Sequence, residues 1–297
     1  MDLWFLLRGK PLHQFRFGHI CFFTSPQNLP NSLLFNAKEL NMSSEKAIIE
    51  ETAGDPQPSD AEAVGNHAII KWLDCQIANL LSEVKGQEFW TVVMDPHTDP
   101  AYVRAIMQEL YREIAGYQPD VIEAAIAAIA QMPRSMDPKT VRAMLFHQAD
   151  EFDHGEMALR DYVGLGGKET FIRAAKMTPE SFAVAAVWWM IVRKRDPFAY
   201  LGALYLFEGL TPMVTNLIKG RLRQKGLKEN ALEYIEFHST EDIKHANLVH
   251  NLIEKTVRDY PQSIESIKYG YECFRAVYPI PLWKAVFNRA KASPAVS

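Results

Sequence analysis

The sequence predicts an all-α protein. Three observations lead there. From about residue 64 onward apolar residues recur at the 3.6-residue period of helices. No segment shows the alternation of β-branched residues expected of strands. Helix starts are marked by a capping side chain placed just before a proline, at Asp137-Pro138 and at Thr178-Pro179. A chain of 297 residues, 48% apolar and 23% charged, can bury one large core, so a single helical domain over 64–290 is expected, preceded by an irregular segment over 1–63.

The elements follow in order. No acidic residue stands between Asp2 and Glu39, and Phe, Leu and Pro follow one another there without helical or strand period. The apolar start at Leu3–Leu7 is short, and Pro11 and Pro30 interrupt any amphipathic helix, which argues against a targeting peptide. Translation is expected to begin at Met42, leaving 1–41 untranslated, and Ser43 to Glu62 reads as an acidic, solvated arm carrying Pro56 and Pro58. Helices are then expected near 65–84, 99–116, 119–131, Val141–Tyr162, Phe182–Val192, 198–219, 228–257 and 262–275. Gly164, Gly166 and Gly167 stop the fourth of these. Seven or eight helices thus share one core.

A net charge of −4 and a pI near 6.2 do not suit a protein that grips the phosphate backbone, so no nucleic-acid partner is expected. Cys21, Cys75 and Cys273 are scattered and form no CxxC pair, which supports neither a disulfide framework nor a thiolate zinc site and suggests a reducing cytoplasm. No apolar run approaches the roughly 20 residues of a membrane span, so no membrane association is expected.

The chemistry lies in histidines and carboxylates at helical spacing. Glu151 and His154 are separated by about 60° around a helix, and His147 lies between them one turn earlier, on a helix whose packing residues are expected to be Leu145, Phe152 and Leu159. His238, Asp242 and His245 fall within about 60° of one another on the 228–257 helix, with Ile235, Leu248 and Leu252 around them. Glu208 sits in the least polar helix of the chain, where an unpaired carboxylate would be costly to bury. Mixed nitrogen and oxygen donors on three helices suit two first-row metal ions, and two M²⁺ ions offset three buried carboxylates. The donor set favours iron or manganese over zinc or copper, and iron for redox use. Pro212 has no N–H for the carbonyl of Glu208, so a kink is expected beside that ligand. His147 reads either as a partner orienting Glu151 or as a core histidine bonded to backbone, the second being favoured, and Trp188-Trp189 reads as core packing before pocket wall. The Arg193-Lys194-Arg195 run and the Lys219 to Lys228 stretch read as solvated helix ends.

Glu151-x2-His154, Glu208 and His238-x3-Asp242-x2-His245, with about fifty residues between the first two motifs and about thirty between the last two, resemble the haem-oxygenase-like diiron oxidases and oxygenases, iron-containing redox enzymes whose fold is shared by TenA-like and PqqC-like enzymes. The resemblance covers roughly residues 95–275. It implies a seven-helix haem-oxygenase-like fold, two Fe(II) per chain and dioxygen as co-substrate. One iron would be held by Glu151, His154 and a carboxylate, the second by His238, His245 and another carboxylate, with Glu208 or Asp242 free to bridge. Some relatives recruit a further carboxylate from an earlier helix, and Glu123 is the candidate here, against the alternative of a solvated side chain.

The function expected is oxidation of a small amino-acid-like or fatty-acid-like metabolite by C–C cleavage, desaturation or N-oxygenation in a biosynthetic pathway. The alternatives are a metal-free thiaminase-like or PqqC-like enzyme of the same fold, or a protein that only binds a ligand. A homodimer would fit the chain, as would an external electron donor, since no reductase domain is evident.

Overall fold

The computed structural model describes residues 60–292, with side chains from residue 68 onward except that of Asp242. The described residues fall in one compact unit, Gly54–Ser297. The alternative start at Met42 and nearly all of the acidic arm lie outside them. The arm's last residues are already helical, because the first helix begins at Asp60.

Among the described residues there are twelve α-helices and no strand: α1 Asp60–Lys85, α2 Glu88–Met94, α3 Pro100–Ile129, α4 Pro138–Asp150, α5 His154–Gly164, α6 Glu169–Ala174, α7 Pro179–Lys194, α8 Ala199–Gln224, α9 Glu233–His238, α10 Asp242–Asp259, α11 Ser263–Arg275 and α12 Ile280–Ala292. The all-α class is as expected. The larger number of segments arises chiefly because two expected helices break and short ones were not anticipated. The expected Val141–Tyr162 helix splits into α4 and α5 at Glu151-Phe152-Asp153, and the expected 228–257 helix splits into α9 and α10 at Ser239-Thr240-Glu241. In the opposite sense, the helices expected on either side of Pro119 are one helix, α3. A proline inside a helix costs a main-chain hydrogen bond, but α3 packs along its length against α5, α7 and α12, and that packing keeps it continuous through the exposed Pro119.

The capping signals act as read. The Asp137 carboxylate accepts from Lys139 N at 3.1 Å, and the Thr178 hydroxyl accepts from Ser181 N at 3.2 Å, each with proline at the first helical position.

Two long helices organise the packing. α3 carries α5, α7 and α12, while α8 carries α1, α9, α10 and α11. α8 and α11 approach through glycine: a Cβ on Gly202 would lie 1.8 Å from the carbonyl oxygen of Ile267, and one on Gly270 would lie 1.9 Å from that of Ala199. By length and composition α8 is apolar enough to cross a bilayer, which the sequence reading did not anticipate, but 67% of its apolar window is buried in the fold. Most of its apolar surface is taken up by the core, though Met213 and Leu217 stay exposed, and the one carboxylate it brings inside is Glu208.

Candidate metal centre

The breaks in the two polar helices fall at the expected ligands. Glu151 closes α4 and His154 opens α5, so the pair is presented from a turn rather than from one helix face. His238 ends α9 and Asp242 begins α10, so His238 and His245 come from different helices. The stripe geometry inferred from continuous helices is therefore corrected. With the register changed, Phe152 is 76% exposed and Leu145 42% exposed, while Leu159 is buried as expected.

Tertiary contacts fix the segment that carries His238. The Asp161 carboxylate of α5 accepts the N–H groups of Glu233 and Tyr234 at 3.0 and 2.8 Å, taking up donors that α9 cannot satisfy itself. The Tyr111 hydroxyl of α3 donates to the carbonyl of Ala231 at 2.9 Å. At the other end, Asn216 and Lys219 of α8 donate to the main-chain and side-chain oxygens of Ser239 at 3.0 and 3.2 Å. α9 is thus pinned on both sides, with His238 between the pins.

Five of the six expected residues converge: Glu151, His154, Glu208, His238 and His245 are all buried. The Asp242 side chain lies outside the described residues. His147, expected to bond to backbone, joins the group instead. Its Nε2 lies 3.2 Å from Glu208 Oε1, and its Nδ1 lies 2.9 Å from the amide nitrogen of Gln148, which also reaches the Tyr200 hydroxyl at 3.2 Å. Its place on the Glu151 stripe marked His147 in the sequence, but the pairing with Glu208 comes from tertiary packing and has no sequence signal. Glu123 is exposed and plays no part.

Donor atoms gather into two sets that share Glu151. On one side, Glu151 Oε2 lies 2.7 Å from His154 Nδ1, which lies 3.1 Å from His238 Nε2. On the other side, Glu151 Oε1 lies 3.0 Å from His245 Nδ1, which lies 3.7 Å from Glu208 Oε2. Despite that closeness, Glu151 Oε1, His245 Nδ1 and His147 Nε2 have no hydrogen-bond partner of proper geometry. Buried polar atoms rarely stay unpaired, and lone pairs crowded together without aligned protons are what a cation between them would resolve. The residues present fit a pair of metal ions.

The electrostatics of the metal-free protein agree. Burial, reinforced by the neighbouring His154, pushes His238 down to about 3, so its ring is neutral. Burial acts to lower His245 too, but the Glu151 carboxylate 3.0 Å away and the charge of Glu208 outweigh it and hold this ring up at about 9. Burial would raise Glu151, yet the charge and the hydrogen bond of His154, with the His245 ring close by, keep it well below the usual carboxylate range. A proton on a histidine here takes the place of the cation that two buried acids require.

A small cavity of about 20 Å³ opens over Glu151, Glu208 and His238. Trp188 walls it while also packing on Tyr200, Phe207 and Phe274, so both readings of this residue hold. Of the basic stretches, Arg193-Lys194-Arg195 is exposed as expected, but Lys225 is buried and donates to the carbonyls of Pro96 and Thr98, a structural role the sequence reading missed.

The sequence profile of the family described as iron-containing redox enzyme, Haem_oxygenas_2, matches residues 108–278. The chain belongs to this family. The match spans α3 to α11 and contains all the residues of the two donor sets. Solved structures agree on the haem-oxygenase-like fold. One is a domain of unknown function with a heme oxygenase-like fold from Shewanella denitrificans OS217, with a TM-score of 0.64 and 17% identity, covering 75% of this chain and 93% of that one. Another is a TenA homolog from Pseudomonas syringae pv. tomato DC3000, with a TM-score of 0.56 and 12% identity over 76% and 93% of the two chains. No curated protein matches the chain.

Proposed function

We propose that this iron-containing redox enzyme is a non-haem diiron oxidase or oxygenase that uses dioxygen to oxidise a small metabolite. The observation that carries the reading is that the two oxygens of one buried carboxylate, Glu151, face two different histidine sets. Glu151 would bridge the ions. His154 and His238 would complete one site, and His245 and Glu208 the other, together with Asp242 at the start of α10. The sharing differs from the expectation in which His238 and His245 served the same iron. When bound, the irons would supply the electrons and the open positions that dioxygen needs.

The remaining residues orient and exclude. The Tyr234 carbonyl lies 2.6 Å from His238 Nδ1, and because a carbonyl only accepts, Nδ1 carries the proton and Nε2 is bare. His147 braces Glu208, and Trp188, Leu204 and Phe207 line the cavity and limit the water near the site. The cytoplasm, a small-molecule substrate and an external electron donor belong to this reading, as does a metabolite reached in a biosynthetic pathway.

A metal-free enzyme or a binding protein of this fold would have no use for two carboxylates and four imidazoles crowded in one buried cluster. The test is dioxygen uptake after anaerobic Fe(II) loading. The loaded wild type consumes dioxygen, and Glu151→Ala does not. Uptake by that variant equal to wild type would overturn the proposal.

A further inference from the structure

The small cavity over Glu151 does not end at its own walls. A second, apolar cavity of about 80 Å³ runs between α2, α3, α8 and α12, and the two share Thr211 and Tyr234. Tyr234 is the ring stacked on His238 at 3.8 Å, and Thr211 lies one turn beyond Glu208, so the apolar slot meets the centre at its ligands. Leu110, Phe207 and Thr211 keep part of their surface accessible, as residues walling an internal slot would.

The lining decides what fits. None of its side chains is charged, and the Thr215 hydroxyl is already committed to the carbonyls of Thr211 and Pro212. A ligand ion placed there would be left unpaired. The volume is well below the roughly 300 Å³ at which drug-sized pockets begin, so the slot suits a narrow chain better than a ring system. A different cleft, of about 500 Å³ between α1, α8 and α10, also reaches Glu208, but Asp74, Asn216, Asn247 and His250 stand among its apolar residues, so it carries polar and ionisable groups that the slot lacks.

We propose that the substrate of this site carries an unbranched alkyl chain, which lies in the α2–α3–α8–α12 slot and delivers its polar end past Thr211 and Tyr234 to Glu151, Glu208 and His238. The proposal rests on the diiron reading for the reaction, and it selects the fatty-acid-like class over the amino-acid-like one. Trp188 walls the inner cavity, and its buried indole N–H has no partner, which leaves a neutral donor for an oxygen of the polar end.

The test measures binding of n-alkanols to the metal-free full chain and of n-alkanoic acids to the anaerobically Fe(II)-loaded chain, by tryptophan fluorescence. In wild type, affinity rises by roughly fourfold per methylene until the slot is full, then levels. Val214→Trp and Ile114→Trp, with Val214→Phe as a milder replacement should the first lose helicity, flatten the rise. Met213→Trp in the polar cleft leaves it unchanged. A flat series in wild type, or a rise that survives the slot variants, overturns the proposal. Because the alkanol series needs no metal, it fails or succeeds separately from the assignment of the irons.

Discussion

Nε2 of His238 and Nδ1 of His154 lie 3.1 Å apart, and the Tyr234 carbonyl, by holding the only proton of the His238 ring, leaves the Nε2 lone pair facing its neighbour. Two imidazole nitrogens at that distance gain from sharing a cation, and Glu151 Oε2 lies on the same His154 nitrogen at 2.7 Å. The arrangement joins α5 to α9 at the point where each helix starts or stops.

From the division of donors follows a difference between two variants. On the proposed assignment Glu208→Ala would take a ligand from the His245 side alone, so that about one iron is retained, whereas Glu151→Ala would weaken both sites and lose both irons. Neither change unfolds the metal-free protein, because the histidine left behind gives up its proton rather than remain an unpaired buried charge. Iron analysis with thermal melting of the metal-free variants checks this. Equal iron loss in the two would show that Glu151 does not join the sites.

Metal binding releases protons. His245 titrates at about 9 in the metal-free protein, above the ordinary histidine value, so its ring is protonated at neutral pH and has to give up that proton to act as a ligand. Apparent affinity for Fe(II) therefore rises with pH through the neutral range and levels near 9. Anaerobic calorimetry in buffers of different ionisation enthalpy reads the proton count, and an affinity independent of pH between 7 and 9 would contradict it.

Acid stability has its own signature. Burial raises Asp161 to about 6 against the two N–H bonds that work to lower it. A carboxyl raised on folding binds its proton more tightly in the folded state. Its contribution is fully present below about 4 and is lost as pH rises through about 6. Asp161→Asn should remove that slope from the melting temperature between pH 4 and 6, and an unchanged slope would assign it to another group.

Much of the centre was legible in the sequence because glutamate and histidine on otherwise apolar helices are expensive unless they meet a partner, and five such residues do meet. What could not be read was the chain path between them. Phe152-Asp153 and Thr240-Glu241 contain neither glycine nor proline, so nothing local announces the breaks. At the second break, Asp161, Tyr111, Asn216 and Lys219 impose the path from other helices. Pro119 misled in the opposite direction, since packing overrides a local breaker. The role of His147 was misjudged for the same reason as the breaks: Glu208, which it meets, stands more than fifty positions away in sequence.

The proposed centre would hold two irons, with Glu151 serving both. Anaerobic titration of the metal-free chain with Fe(II), followed by separation and iron analysis, tests it most directly. The account predicts that about two irons are retained per wild-type chain. Retention of one iron or none under Fe(II) excess would contradict it.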